Sequence, residues 1–194
     1  GISNTWKHED VEEYSFFGCQ KLKNFEIPKT VTFIGLAAFM YCKQINVTIP
    51  PNLKTIEKRI FYGCNSLMSA IIPSQITSIE NDSFHNCTSL ENLKLPDSIV
   101  RIEQQGFAGC SGITSIIFPA SLKRIIINAF YGCKGLKEIQ FSSAVDLIDS
   151  DSFFECSSLE IVKFLSSIKI IKENAFHNCS KLKEIQFSTS PETI

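Results

Sequence analysis

No stretch of this sequence carries charge of one sign. Its nineteen basic and twenty acidic residues are interspersed, and the formal net charge is −1. A nucleic-acid partner would call for a basic stripe, and there is none. No apolar run approaches the ~18 residues that cross a bilayer, and no leader pattern opens the chain, so membrane contact by this chain is not expected. A glycine-rich phosphate loop, His-Glu-x-x-His and Cys-x-x-Cys are all missing, and with them the strong local signatures of nucleotide, zinc-protease and redox chemistry. No cofactor, metal or catalytic residue is expected. Of the three histidines, His85 and His177 lie about 19 Å apart in a stacked repeat and cannot share a metal or a proton, so each reads as a solvated or turn-capping side chain.

Repetition is what the sequence has in abundance. The stretch from Phe84 to Pro96 has the skeleton Phe-x-x-Cys-x-x-Leu-x-x-Leu-x-Leu-Pro, followed by Ile99 and Ile102. All eight cysteines (19, 42, 64, 87, 110, 133, 156 and 179) fall at one position of it, 23 residues apart except for the 22 between Cys42 and Cys64. Such a period marks a solenoid, in which each unit packs only on its neighbours. Residues 1–10 fit poorly and read as an irregular segment or partial cap carrying Trp6, while 11–194 read as one solenoid of about eight repeats. The methionine-free start and the mid-unit end at Ile194 suggest a piece of a longer protein.

An even number of cysteines suggests disulfides, but the column argues against them. In-register residues stack with parallel Cα–Cβ vectors, so bridging would distort every unit. Buried, reduced packing cysteines are expected instead, and they leave the redox compartment open.

Two extended pieces are legible in each unit. The first is Leu-x-x-Leu-x-Leu-Pro, closed by a proline that cannot continue a ladder, although Ser142, Leu165 and Ser188 replace it in the last three units. The missing residue between Cys42 and Pro50 predicts an irregularity at Asn46. The second surrounds the isoleucine column: 34, 56, 79, 102, 125, 148 and 171. Between that column and the cysteine there is room for one helical or 3₁₀ turn, whose phenylalanine joins a stacked spine. Asp149 and Asp151 lie outside this core and read as a solvated face.

The unit Ile-x-x-x-x-Phe-x-x-Cys-x-x-Leu-x-x-Ile-x-Ile-Pro-x-x-Ile resembles the 23-residue repeat of BspA-like (Treponema pallidum-type) leucine-rich repeat surface proteins over residues 11–194. The resemblance implies a right-handed leucine-rich-repeat solenoid of short parallel strands, stacked to about 38 Å. It also implies a secreted or cell-surface location and adhesion to host cells or extracellular-matrix proteins.

A non-catalytic protein-binding module is therefore expected. An intracellular scaffold using the same surface, in the cytoplasm, is the alternative. The outward strand column runs Glu26, Thr48, Ile71, Lys94, Ile117, Gln140, Lys163 and Gln186. Ile71 and Ile117 break its polarity, with Met68, Glu91 and Lys94 around them, and form a candidate protein-binding patch. Beside the second piece, Ile126, Leu147 and Ile170, with Ile127 and Leu165 nearby, are expected to form a contiguous apolar strip for self-association or partner binding. Of four glycosylation sequons, those at Asn46 and Asn81 are the better acceptors. Those at Asn86 and Asn178 carry a core cysteine in the middle.

Overall fold

The computed structural model describes residues 10–23 and 25–188, so the expected cap around Trp6 lies outside the described residues. The chain winds through two sets of parallel strands. The first comprises β3 (Ser69–Ile71), β5 (Asn92–Lys94), β7 (Ser115–Phe118), β9 (Glu138–Phe141), β11 (Ile161–Phe164) and β13 (Glu184–Phe187). The second comprises β1 (Asp10–Val11), β2 (Phe33–Ile34), β4 (Ser78–Ile79), β6 (Arg101–Ile102), β8 (Arg124–Ile125), β10 (Val145–Ile148) and β12 (Ile168–Ile171). Paired residues are 23 apart throughout, as in Phe118↔Phe141 and Ile102↔Ile125. The repeat period is thus the register of the sheets.

The phenylalanine spine forms as expected. Phe16, Phe39, Phe61, Phe84, Phe107, Phe130, Phe153 and Phe176 stack face to face, with successive centroids 5.1 to 5.7 Å apart. Rings so placed contribute about 0.5–1.5 kcal/mol per pair beyond the area they bury.

The lost prolines have a visible consequence. Where proline is present its carbonyl accepts a turn bond, as from Leu122 N–H to Pro119 O (3.1 Å). Without it, Val145 N–H pairs instead with Ser167 O in the next unit, and β10 and β12 lengthen to four residues.

Three expectations need correction. Among the described residues the segment between isoleucine and cysteine forms no helical turn. It alternates two kinds of bond: Asn128, Phe130 and Gly132 donate to the next unit, while Tyr131 and Cys133 donate three residues back. The alternation requires positive φ two residues before and two after each spine phenylalanine, as at Asn128 (59°) and Gly132 (66°). A helix needs uniformly negative φ and cannot form there.

The first sheet is also not continuous. Among the described residues no strand precedes Ser69 in it, and Asn46, at the shortened step, accepts a side-chain bond from Met68 N–H (3.2 Å). Further on, β5 pairs only with β3, and β7 begins a separate four-stranded sheet. At that break the innermost strand column changes from Ile27, Ile49, Ile72 and Leu95 to Phe118, Phe141, Phe164 and Phe187. The four phenyl rings stack 4.8 to 5.2 Å apart, and Phe118 meets the spine edge-on at Phe130 (5.6 Å). The split falls where this second aromatic column begins.

Finally, seven cysteines are buried and free, but Cys19 is exposed. It belongs to the first described unit of the stack.

Candidate interaction faces

The outward strand column is solvated as expected, with Glu26, Thr48, Lys94 and Gln186 exposed and Gln140 and Lys163 half-buried. Ion pairs such as Lys163–Glu138 (2.5 Å) and Lys183–Glu160 (2.9 Å) tie its C-terminal rungs together. Against this polar background Met68 is 50 % exposed, Ile71 57 % and Ile117 69 %. Glu91 and Lys94 are exposed beside them, and Lys94 pairs directly with Ile71. The two isoleucines do not share a sheet, however: Ile71 sits on β3 and Ile117 on β7, on opposite sides of the break. The patch is therefore two apolar spots flanking a seam.

The apolar strip is shorter than expected. Leu147 pairs with Ile170 in one direction but with Arg124 in the other. Ile126 follows the isoleucine column where Leu147 and Ile170 precede it, so it lies in line with Asp149 and Lys172. Ile126, Ile127 and Leu147 are half-buried, Ile170 is 52 % exposed, and Leu165 (49 %) stands apart beyond β11.

A third face was not anticipated. The residue after the spine phenylalanine is aromatic in every unit but those of Met40 and Ala108, and these side chains, joined by Tyr41 one position further on from Met40, form an outer ladder. Phe17 meets Tyr41 (5.9 Å), Tyr41 meets Tyr62 (5.4 Å), and Tyr62 stacks on His85 (4.5 Å). Further on, Tyr131 stacks on Phe154 (5.4 Å) and Phe154 on His177 (5.2 Å). Reading the column next to the phenylalanines would have revealed it.

Of the two roles expected of His85, solvated or turn-capping, the solvated one does not hold. The residue is half-buried in the ladder, and its Nδ1 is enclosed without a hydrogen bond, 3.6 Å from Asp82 Oδ1. Burial holds its pKa below the ordinary value, with Asp82 opposing in part. His177 is exposed. Between His85 and Tyr131 lies a shallow depression over Ala108 and Gly109.

Asp149 bonds Lys172 (2.9 Å) and Ser150 N–H (2.8 Å); burial pushes its pKa up, but these partners outweigh burial and hold it below the usual range. Among the described residues no three His, Cys, Asp or Glu side chains converge as metal ligands. No helix among them could cross a membrane. The sequons differ in access. Asn46 and Thr48 are both exposed, whereas Asn81 is half-buried and its Ser83 is fully buried, donating to Glu57 O (3.0 Å) and Glu80 O (2.7 Å).

Residues 2–114 and 100–194 match the family described as BspA type leucine rich repeat region (6 copies). No curated protein matches the chain. Among solved structures it is similar to a leucine-rich repeat protein from Bacteroides ovatus, at 26 % identity and a TM-score of 0.76, over 92 % of this chain and 52 % of that one. It is also similar to a T. pallidum leucine-rich repeat protein, at 27 % identity and a TM-score of 0.67, over 76 % and 70 % of the two chains. A leucine-rich cell surface protein from Faecalibacterium prausnitzii shares the fold at 22 % identity and a TM-score of 0.64, over 94 % and 77 %. The chain thus spans about half the length of the B. ovatus relative.

Proposed function

The chain belongs to the BspA-type leucine-rich repeat family, and from that premise we propose that it is a non-catalytic protein-binding module of a cell-surface protein, adhering to host cells or matrix proteins. One observation carries the reading: Met68, Ile71 and Ile117 are at least half exposed on an otherwise polar strand face. Apolar spots within a polar, charged surround have the composition of a contact core and its rim. The cell-surface description of the F. prausnitzii relative supports the location by analogy.

The test is a pull-down with the chain against host matrix proteins, followed by Ile71→Glu combined with Ile117→Glu. The double variant is expected to fold normally and to bind the captured protein at least tenfold more weakly. Unchanged affinity in a folded double variant removes this face from the reading. Labelling of intact cells with an antibody to the chain decides between the cell-surface module and the intracellular scaffold.

A further inference from the structure

Three exposed aromatic side chains touch in the first units of the outer ladder. Tyr14 is 52 % exposed, Phe17 48 % and Tyr41 37 %. Tyr14 meets Phe17 edge-on (6.1 Å), and Phe17 meets Tyr41 in the same way (5.9 Å). Single exposed rings are ordinary, whereas a contiguous cluster marks a contact surface. The backbone beneath is held in place. Tyr14, Phe16 and Gly18 donate N–H bonds to Leu36, Ala38 and Met40 of the next unit, at 2.8 to 3.0 Å. Gly35 lets the chain at Glu13 lie close, since a Cβ there would stand 2.7 Å from the Glu13 nitrogen.

Carboxylates border the cluster. Asp10 and Glu12 flank the buried Val11, Glu13 precedes Tyr14, and all three are exposed. Among the described residues none of the three has an ion-pair partner. Their equivalents one unit on, Phe33, Gly35 and Leu36, carry no charge. The first cations along the columns of Glu13 and Tyr14 are Lys58 and Arg59, two steps or about 10 Å away, and Arg59 is bonded to Asp82 (3.2 Å). Rings beside uncompensated carboxylates suit a cation that is also flat. A guanidinium stacks on an aromatic face and forks to a carboxylate, while a neutral sugar leaves the carboxylates unmatched.

We propose that this cluster docks a basic, arginine-bearing segment of a protein partner, its guanidinium groups lying on Tyr14 and Phe17 and against the carboxylates of Glu12 and Glu13. The site lies off the strand face that carries Ile71 and Ile117, and it rests on the protein-binding reading only for the molecule that carries the segment.

The test uses the full chain with labelled tyrosine and phenylalanine rings, titrated with acetyl-Gly-Arg-Gly-Arg-Gly-amide and followed by NMR. The Tyr14 and Phe17 ring resonances are expected to move together and to saturate, and the arginine δ-methylene protons of the peptide to shift upfield, as protons over a ring face do. The same peptide with glutamate in place of arginine, and methyl β-D-glucopyranoside, leave the rings unmoved. Tyr14→Asn removes one ring while keeping a residue suited to the positive φ there (55°), and weakens the arginine peptide roughly two- to fivefold. Glu12→Gln with Glu13→Gln leaves every ring in place, weakens the peptide by a similar factor and lowers the salt dependence of its binding. No shift up to the solubility of the peptide overturns the proposal, as does binding that both variants retain in full or an equal response to the glucoside. Because the peptide needs no protein partner, a failed pull-down and a failed titration are separate results.

Discussion

The thiol of Cys110 donates a hydrogen bond to the carbonyl oxygen of Phe84, one unit back, at 3.0 Å. The same carbonyl also accepts the N–H of Cys87 in its own unit (3.1 Å). The relationship recurs from Cys42 on Phe16 to Cys179 on Phe153, at 3.0 to 3.3 Å. Each buried thiol thus fastens its unit to the previous one through a lone pair the turn leaves free. Alanine would fit the space but not the bond, and a thiolate could not donate.

Thiol reactivity follows from this arrangement. In the native protein a thiol reagent is expected to label Cys19 rapidly and to leave the seven buried cysteines untouched until denaturant is added. Cys110→Ala removes both volume and the bond, and costs roughly 1–2 kcal/mol in urea denaturation. Fast native labelling of more than one cysteine contradicts the ladder.

Alkaline pH should weaken the fold steeply. Burial pushes Cys42 and Cys179 up to about 11, and the five cysteines between them are raised further. In the unfolded chain a thiol titrates near ~8.5. A raised folded pKa means the folded state keeps a proton that the unfolded state releases. The stabilisation is complete below about pH 8.5 and is lost as pH rises toward the folded values, by up to ~1.4 kcal/mol per pH unit for each thiol. Urea midpoints between pH 8 and 10.5 measure it, and Cys110→Ala should flatten the slope by one thiol's share.

The fold was legible because burial imposes the period. Phe84, Cys87, Leu90 and Ile102 are each fully buried, so every unit must repeat their chemistry at the same spacing. What escaped the sequence lies where different residues serve one geometry. The position two after the spine phenylalanine is Gly18, Tyr41, Gly63, Asn86, Gly109, Gly132, Glu155 and Asn178, all at positive φ, though only glycine and asparagine advertise it. The break between β5 and β7 was hidden for a related reason: Leu95 and Phe118 both satisfy an apolar pattern, and only their size differs. At the candidate faces, exposure of Ile71 and Ile117 followed from strand alternation. Ile126 flanks the isoleucine column on the side opposite to Leu147 and Ile170, a distinction that an apolar pattern alone does not carry.

These positive-φ positions can be probed directly. A Cβ added at Gly132 (φ 66°) meets nothing within 4 Å, so Gly132→Ala isolates the backbone cost, expected at about 1 kcal/mol. At Gly109 the same change also drives a methyl into the Asn86 amide, and the loss should be larger. Glu155 holds φ 57° without either advantage, so Glu155→Asn is expected to stabilise by a few tenths to ~1 kcal/mol. Thermal melts of the three variants order them; equal losses at Gly132 and Gly109 would place the cost in the backbone alone.

Self-association is the remaining expectation for the second sheet. Leu147 and Ile170 are paired neighbours on β10 and β12, with Ile170 52 % and Ile171 40 % exposed. Contiguous apolar surface of this kind favours association, whereas single exposed side chains are ordinary. Lys169 and Asp146, ion-paired at 2.6 Å, border the strip and give a second copy a charged edge to align against. Leu147→Glu with Ile170→Glu is expected to turn a concentration-dependent dimer into a monomer in light scattering. Ile126→Glu, on the far side of the isoleucine column, should leave the dimer intact. A wild-type chain that stays monomeric at millimolar concentration rules out association through this strip, and a dimer lost equally in all three substitutions would point to unfolding instead of an interface.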